Sequence, residues 1–416
     1  MLEENTWVSE SLEFNPKKVA EAFAYIEAQW PILTKTQTAD DGTMIGLPEP
    51  FIMPSVENET GFAFQEMYYW DSYFISQGLL TTGHDDLAAG MLEDLVFMAR
   101  RYHIIPNAAR TYHTNRSQPP LLTSFIFSIY DRHEKDLNWL SERMQVAERE
   151  YHTVWTASAH PNWRNVFEGL SRNYEINLID HLAETESGWD MNTRFKGKCL
   201  SYIPIDLNSL LYKYEIDFAR WCELKGDDDT ANLWRQKAKK RAETVSKYLW
   251  NEHEGFFFDY DYFTHRQSDV WSLANFYSLW SGLASKEQAR RIVDNLPAFV
   301  HSGGLATSKS PDEYLGDTPT QWAYPNGWAP LHWIAVEGLA SYGYYKEAET
   351  VARLWLNNNL DHFQKNGVFR EAYNVVDPDL PPKPGLYPPQ IGFGWTNAVF
   401  VDLAKKYLSK DELLLA

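Results

Sequence analysis

Apolar residues along this chain recur mostly with the period of an α-helix. From Asp206 the positions Leu207, Leu210, Leu211, Tyr214, Phe218 and Cys222 fall at i, i+3, i+4 and i+7 spacings, which places them on one helix face. The stretches Ala88 to Met98 and Pro330 to Leu339 also read as helical. Pro204 and Pro330 stand near expected helix starts, where the missing N–H of proline costs nothing. Strand-like alternation is scarce. The run Gly255-Phe-Phe-Phe-Asp-Tyr-Asp261 is the best short strand and reads as one arm of a hairpin.

Loops rich in Gly, Pro, Asn and Trp separate the helical stretches and hold nearly every unusual motif. Rigid helices carrying a ring of functional loops suit a helical toroid. Length alone allows two or three domains or one large core. With no repeat, low-complexity segment or linker to read, we expect one domain over residues 1–416, with 1–50 as an N-terminal extension packed on it. The longest irregular segment is the Pro-rich Asp377–Pro389, either a lid or a plain surface loop.

Charge narrows the partners. The formal net charge of −19 argues against nucleic acid and anionic membrane, both of which need basic patches. No apolar run reaches the roughly 18 residues of a membrane span, and the N-terminus has neither a basic nor an apolar leader region. The expectation is therefore a cytoplasmic monomer acting on a small molecule. Cys199 and Cys222 sit in apolar helical patterns and read as buried free thiols, with no disulfide framework. Seventeen Trp and 24 Tyr exceed what a core requires. Such a surplus fits either sugar stacking or a large helical core.

Candidate chemistry concentrates in a few segments. Glu186-Ser-Gly188-Trp189-Asp190 and Phe369-Arg370-Glu371 each set a carboxylate among aromatics and near an arginine. An inverting glycosidase needs such a pair, one protonated to donate to the leaving oxygen and one ionised to activate water. Trp189 would form an apolar wall raising the pKa of Asp190, and Arg370 would keep Glu371 ionised. Asn107, Arg116, Gln118, Arg172 and Gln321 are multi-donor side chains suited to hydroxyl recognition. Trp70, Trp189, Trp322, Trp328 and Trp395 offer flat faces for sugar C–H surfaces. Taken singly, each has an ordinary alternative: a packed Trp, a solvated Glu, or, for Arg172 and Glu175, a helix-surface ion pair. There is no clustered His/Cys spacing for a metal, and no cofactor is expected.

Together and in order, these segments resemble those of trehalases, a glycoside hydrolase family that inverts the anomeric centre. The resemblance runs from about Phe62 to Lys405. It rests on Tyr68-Tyr-Trp-Asp-Ser-Tyr73, Ile105-Pro-Asn107 with Arg116-Ser-Gln118-Pro-Pro120, Glu186–Asp190, Ile203–Ser209, Gln321-Trp322 with Pro325–Pro330, and Gly392-Phe-Gly-Trp-Thr-Asn397. It implies an all-α (α/α)6 barrel that hydrolyses α,α-trehalose to glucose without metal or cofactor. Asp190 would be the general acid and Glu371 the general base. Phe64, Trp70, Asp71, Asn107, Arg116, Gln118, Arg172, Glu175, Gly188, Trp189, Gln321, Trp322, Trp328 and Trp395 would match sugar-binding positions. Three charged family positions are replaced here, by Ala63, Ala323 and Leu386. His103, Gln65, Asn58 and Glu59 are the candidates to compensate. These changes leave open another small α-glycoside: glucosylglycerate, mannosylglycerate or an oligosaccharide end. A non-catalytic sugar-binding protein is a further reading. An isomerase would need paired histidines, and the matched catalytic blocks hold none.

Overall fold

A computed structural model describes residues 12–56, 61–133, 136–156, 163–310 and 320–413. Its helices are α1 (Pro16–Leu33), α2 (Tyr69–Thr82), α3 (Asp85–Tyr102), α4 (Leu122–His133), α5 (Leu137–Glu150), the short α6 (Asp180–Glu186), α7 (Ile205–Leu224), α8 (Asp228–Leu249), α9 (Tyr277–Trp280, preceded by a 3-10 turn), α10 (Lys286–Asp294), α11 (Ala329–Ser341), α12 (Tyr345–Asn366) and α13 (Gly394–Tyr407).

Six of these helices form an inner ring. Contacts run from α4 to α7, α9, α11, α13 and α2. The circle closes where Tyr73 of α2 meets Phe125 of α4, ring centroids 6.2 Å apart. Outside them, α3, α5, α8 and α12 pack on the ring, and α1 lies against α12 and α13. With α10 following α9, this is the (α/α)6 barrel that the sequence predicts. Residues 1–50, expected as an extension, contain α1, which buries Val19, Ala22, Ile26, Trp30 and Leu33.

Position in the ring explains the patterning. An outer helix needs one apolar stripe, and α8 has it: Ala231, Trp234, Ala238, Val245 and Leu249 are buried at near-helical spacing. An inner helix is covered all round, and in α11 every residue from Ala329 to Val336 is buried. α7 buries all the apolar positions read from the sequence, and with them Asp206, Asn208, Ser209, Glu215 and Asp217. Pro204 is the N-cap of α7, and Pro330 lies in the first turn of α11.

The Gly255–Asp261 run departs from expectation. It is two strands rather than one arm: Phe256–Phe257 pairs with Trp250–Asn251, and Tyr260–Asp261 pairs with both Tyr202–Ile203 and Arg266–Gln267. The break between them leaves Asp259 free to turn inward to Arg194. Both cysteines are buried free thiols, although Cys199 sits in a 3-10 turn rather than an α-helix. Among the described residues no helix is long and apolar enough to cross a membrane.

Candidate active site

The loops before the inner helices enclose a cavity of about 200 Å³. Tyr68, Trp70 and Asp71 reach it from the start of α2; Asn107, His113, Arg116 and Gln118 come from the loop before α4. Gly188 and Asp190 follow α6, Trp322 precedes α11, and Glu371, Tyr387, Phe393 and Trp395 approach from the α13 side. Asp190 and Glu371, far apart in sequence, thus face one chamber, and Asp71 joins them.

Hydrogen bonds between loops fix these groups. Gln118 uses its carbonyl oxygen to accept from the Trp70 backbone N–H at 3.0 Å, tying its loop to the first turn of α2. Asn107 donates to the carbonyls of Ser117 (3.0 Å) and Thr185 (3.1 Å). Gln321 donates to the Asp190 carbonyl at 2.6 Å. Gly188 lies against Trp70: its φ is +79°, and a Cβ would come within 2.7 Å of the indole. No side chain fits there, which is the physical reason for glycine next to the acid loop.

Burial dominates the electrostatics. It is the main cause that lifts Asp71 to about 8, Asp190 to about 7 and Glu371 to about 8, with the charge of Asp190 contributing at Asp71 and Glu371 and that of Asp71 at Glu371. Arg116 partly offsets this at Asp190, and the Tyr387 hydroxyl, donating to Glu371 Oε1 at 2.8 Å, does so at Glu371. Near neutral pH the chamber therefore holds shared protons. The two values do not assign acid and base, since Glu371 stands slightly above Asp190. The hydrogen bond from Tyr387 favours the ionised form of Glu371, and Glu371 stands above Asp190 with that bond included.

The sequence-predicted residues divide into two sets. Phe64, Trp70, Asp71, Asn107, Arg116, Gln118, Gly188, Asp190, Trp322, Glu371 and Trp395 line the cavity. Trp189, Trp328, Gln321, Arg172 and Glu175 do not. Trp328 is stacked on Trp322 at 3.9 Å with the rings 6° apart, so it backs a cavity-lining ring instead of being one. Trp189 lies 5.7 Å from Trp322 on its other flank, under the Arg194 guanidinium. Of these tryptophans, Trp70 and Trp322 share the cavity lining with Asp190, and Trp189 does not line it. Arg172 donates to the carbonyls of Trp163 (3.0 Å) and Leu200 (2.7 Å) and to the Tyr262 hydroxyl (2.8 Å). Glu175 is fully buried and accepts from Asn115 and Asn177. Neither belongs to a helix, so the surface ion-pair reading of that pair does not hold either.

Two local arguments are corrected. Arg370 is not among the largest influences on Glu371, which are burial, Tyr387, Asp190, Asp71 and the backbone of Gln390. Ala63, Ala323 and Leu386 do not line the cavity, and Leu386 is 51% exposed. Of the candidates to compensate, Asn58 and Glu59 lie outside the described residues. His103 and Gln65 are exposed, His103 capping α3. The polar groups found instead are Tyr68, His113 and Tyr387. Tyr68 and Tyr387 stand inside motifs already singled out. His113 carries no periodic or motif signal; burial and the neighbouring Arg116 and Arg110 push it down to about 3, so it stays neutral.

Comparison with known proteins agrees with this chamber. The model of the trehalase family matches residues 4–187 and 181–408. The chain belongs to the trehalase family. It is 35% identical to the cytosolic neutral trehalase of Beauveria bassiana over 93% of this chain and 61% of that one. It is 30% identical to the periplasmic trehalase of Shigella flexneri over 93% of this chain and 74% of that one. Against the solved neutral trehalase Nth1 from Saccharomyces cerevisiae the TM-score is 0.76 at 32% identity, covering 88% of this chain and 75% of that one. A GH63 mannosylglycerate hydrolase from Thermus thermophilus shares the fold at 15% identity, TM-score 0.64, covering 92% of this chain and 99% of that one. The chain spans about three fifths of the length of the fungal trehalases it matches.

Proposed function

We propose that this trehalase-family protein hydrolyses α,α-trehalose to two glucose molecules with inversion at the attacked carbon. The observation that carries this is the meeting of Asp190 and Glu371 in one aromatic-walled chamber. Asp190, kept protonated by burial, gives its proton to the interglycosidic oxygen as the C–O bond breaks. Glu371, held by Tyr387, takes a proton from a water on the opposite face, and that water's oxygen bonds to the anomeric carbon. Trp70, Trp322, Trp395 and Phe64 cover apolar sugar surface, while Asn107, Arg116, Gln118 and Asp71 address hydroxyls. Asn107 and Gln118 each spend one polar group on the loops, so their contribution is as much to shape as to recognition.

The second reading, another small α-glycoside, keeps the same chemistry. It draws on the Nε of Arg116, which is buried without a partner and could serve a different aglycone. Proton NMR of fresh protein with α,α-trehalose decides. Inversion releases β-glucose and α-glucose together in the first minutes. Release of α-glucose alone overturns inversion, and release of nothing from trehalose but glucose from a glycerate glycoside transfers the assignment to the second reading.

We place the protein in the cytoplasm, supported by the cytosolic relatives, although periplasmic ones occur. A monomer is the reading for assembly: among the described residues, exposed large apolar side chains are scattered over the elements, with groups only at the Ile176–Ile179 turn and along Leu380–Ile391.

A further inference from the structure

Behind Glu371 lies a second cavity of about 30 Å³. Glu371 and Tyr387 line both chambers, so the carboxylate and the phenol bonded to it form the partition between them. The rest of the rear wall mixes Gln321, Asn326, Lys383, Arg370 and Gln390 with Trp328, Ala372, Gly385 and prolines. The Nε of Arg370, one of these lining residues, is buried and has no protein acceptor. Its roof is the Pro-rich stretch that the sequence marks as a lid or a surface loop. That stretch is pinned: Lys383 N–H donates to Asn326 Oδ1 at 2.7 Å, and Asn326 Nδ2 donates back to the Lys383 carbonyl at 3.0 Å. Gly385 lies so close on Gln321 that any Cβ would overlap its amide.

A space of this size with polar groups in its wall has room for about two waters, and an unpaired buried N–H is a standard sign of one. We infer that this rear chamber is a water store that feeds Glu371 while sugar fills the front cavity. The inference rests on the proposed role of Glu371 as base. Each turnover consumes one water on the Glu371 face, where a bound disaccharide shuts out bulk solvent. A hydrated space that shares Glu371 as its wall can replace that water without release of the sugar. The chemical balance is unchanged: the water's oxygen joins the anomeric carbon and its proton goes to Glu371.

Ala372 lines the rear chamber and not the front one, so Ala372→Val fills the store from the side. The expected result is a roughly tenfold lower kcat on trehalose, glucose affinity by calorimetry within about twofold of wild type, and a steeper fall of kcat as betaine lowers water activity. Ala372→Ser, small and polar, should keep the wild-type kcat. A folded Ala372→Val with wild-type kcat and unchanged betaine response overturns the inference. A high-resolution crystal structure of the unliganded wild type gives a second reading that does not depend on the variant folding: ordered water on Arg370 Nε supports the store, and an empty chamber overturns it. Failure of the base assignment is separately visible, since Glu371→Gln would then still turn over; an inactive Glu371→Gln beside a fully active Ala372→Val removes only the store.

Discussion

On the acid side of the cavity, charge holds the chain. Glu186 accepts from Arg164 Nε at 2.9 Å and from the backbone N–H of Ser117 and Tyr174. Arg194 is gripped by two carboxylates, Asp206 at 2.7 and 2.9 Å and Asp259 at 2.9 and 3.0 Å, and it lies over the Trp189 ring. Asp190 rides between these two clamps. The base side has no such clamp on Glu371. Its carboxylate accepts from Tyr387, its backbone N–H donates to the Gln390 carbonyl at 3.1 Å, and its own carbonyl accepts from the Trp395 indole at 3.2 Å. Under the proposed mechanism the difference follows from what each side must do. An acid that reprotonates between turnovers needs a fixed position and little water, which buried ion pairs and indoles supply. A base that receives a new water each time needs room for that water.

The comparison is broken first by removing the acid or the base. Asp190→Asn and Glu371→Gln should each lower kcat by about 10³-fold or more, with circular dichroism unchanged. Wild-type turnover in either variant would dismiss the pair. Next in size is the clamp. Arg194→Met strands Asp206 and Asp259 as unpaired buried carboxylates and should cost about 3–5 kcal/mol in urea unfolding; a loss under about 1 kcal/mol would show that the acid side is not charge-held. On the neutral side, Tyr387→Phe removes a donor that favours ionised Glu371. Its pKa rises, leaving less ionised Glu371 beside protonated Asp190, so kcat/KM near pH 7 falls about tenfold. For the wild type the pH profile of kcat/KM should peak between about pH 7 and 8, where one proton is shared by the acid and the base. Wild-type kcat/KM in Tyr387→Phe would remove its hydroxyl from the account.

The smallest effect concerns Asp71, which is buried and whose pKa stands near 8 when folded, far above its unfolded value. The native state then binds more protons than the unfolded chain between about pH 4 and 8, so stability falls as pH rises through that window. Asp71→Asn should therefore be more stable than wild type by about 1–3 kcal/mol at pH 8 and by less at pH 5, measured by thermal melting. An equal gain at both values would mean that burial does not hold this proton.

Much of the architecture is legible in the sequence because helix period survives in outer helices and long apolar runs mark inner ones. α7 and α11 are read almost whole. The Gly255–Asp261 run is misread because period alone cannot show that Asp259 interrupts it to reach Arg194. For the site, the motifs locate the chamber and its two carboxylates. They do not tell which tryptophan faces it: Trp322 and Trp328 carry the same signal, yet one lines the cavity and the other backs it. Arg172 illustrates the same limit, since its donors suit sugar hydroxyls and backbone carbonyls equally well. His113 is silent in the sequence because a lone histidine in a turn has no pattern; only the folding of its loop over Tyr68 brings it inside.

The position of α1 bears on how the protein is made. Its principal neighbours, α12 and α13, are made only after every inner helix from α2 to α11. Arg353 fastens the same seam, donating to the carbonyls of Leu12 and Tyr407 and pairing with Glu412. Until α12 and α13 emerge, the face of α1 that meets them stays uncovered and the ring is an open horseshoe. Such long-range closure is slow and leaves apolar surface exposed to other chains. A ribosome stalled before Tyr407 would therefore release a sticky, unclosed product, and the yield of active protein should depend on chaperones that shield α1 until its partners emerge.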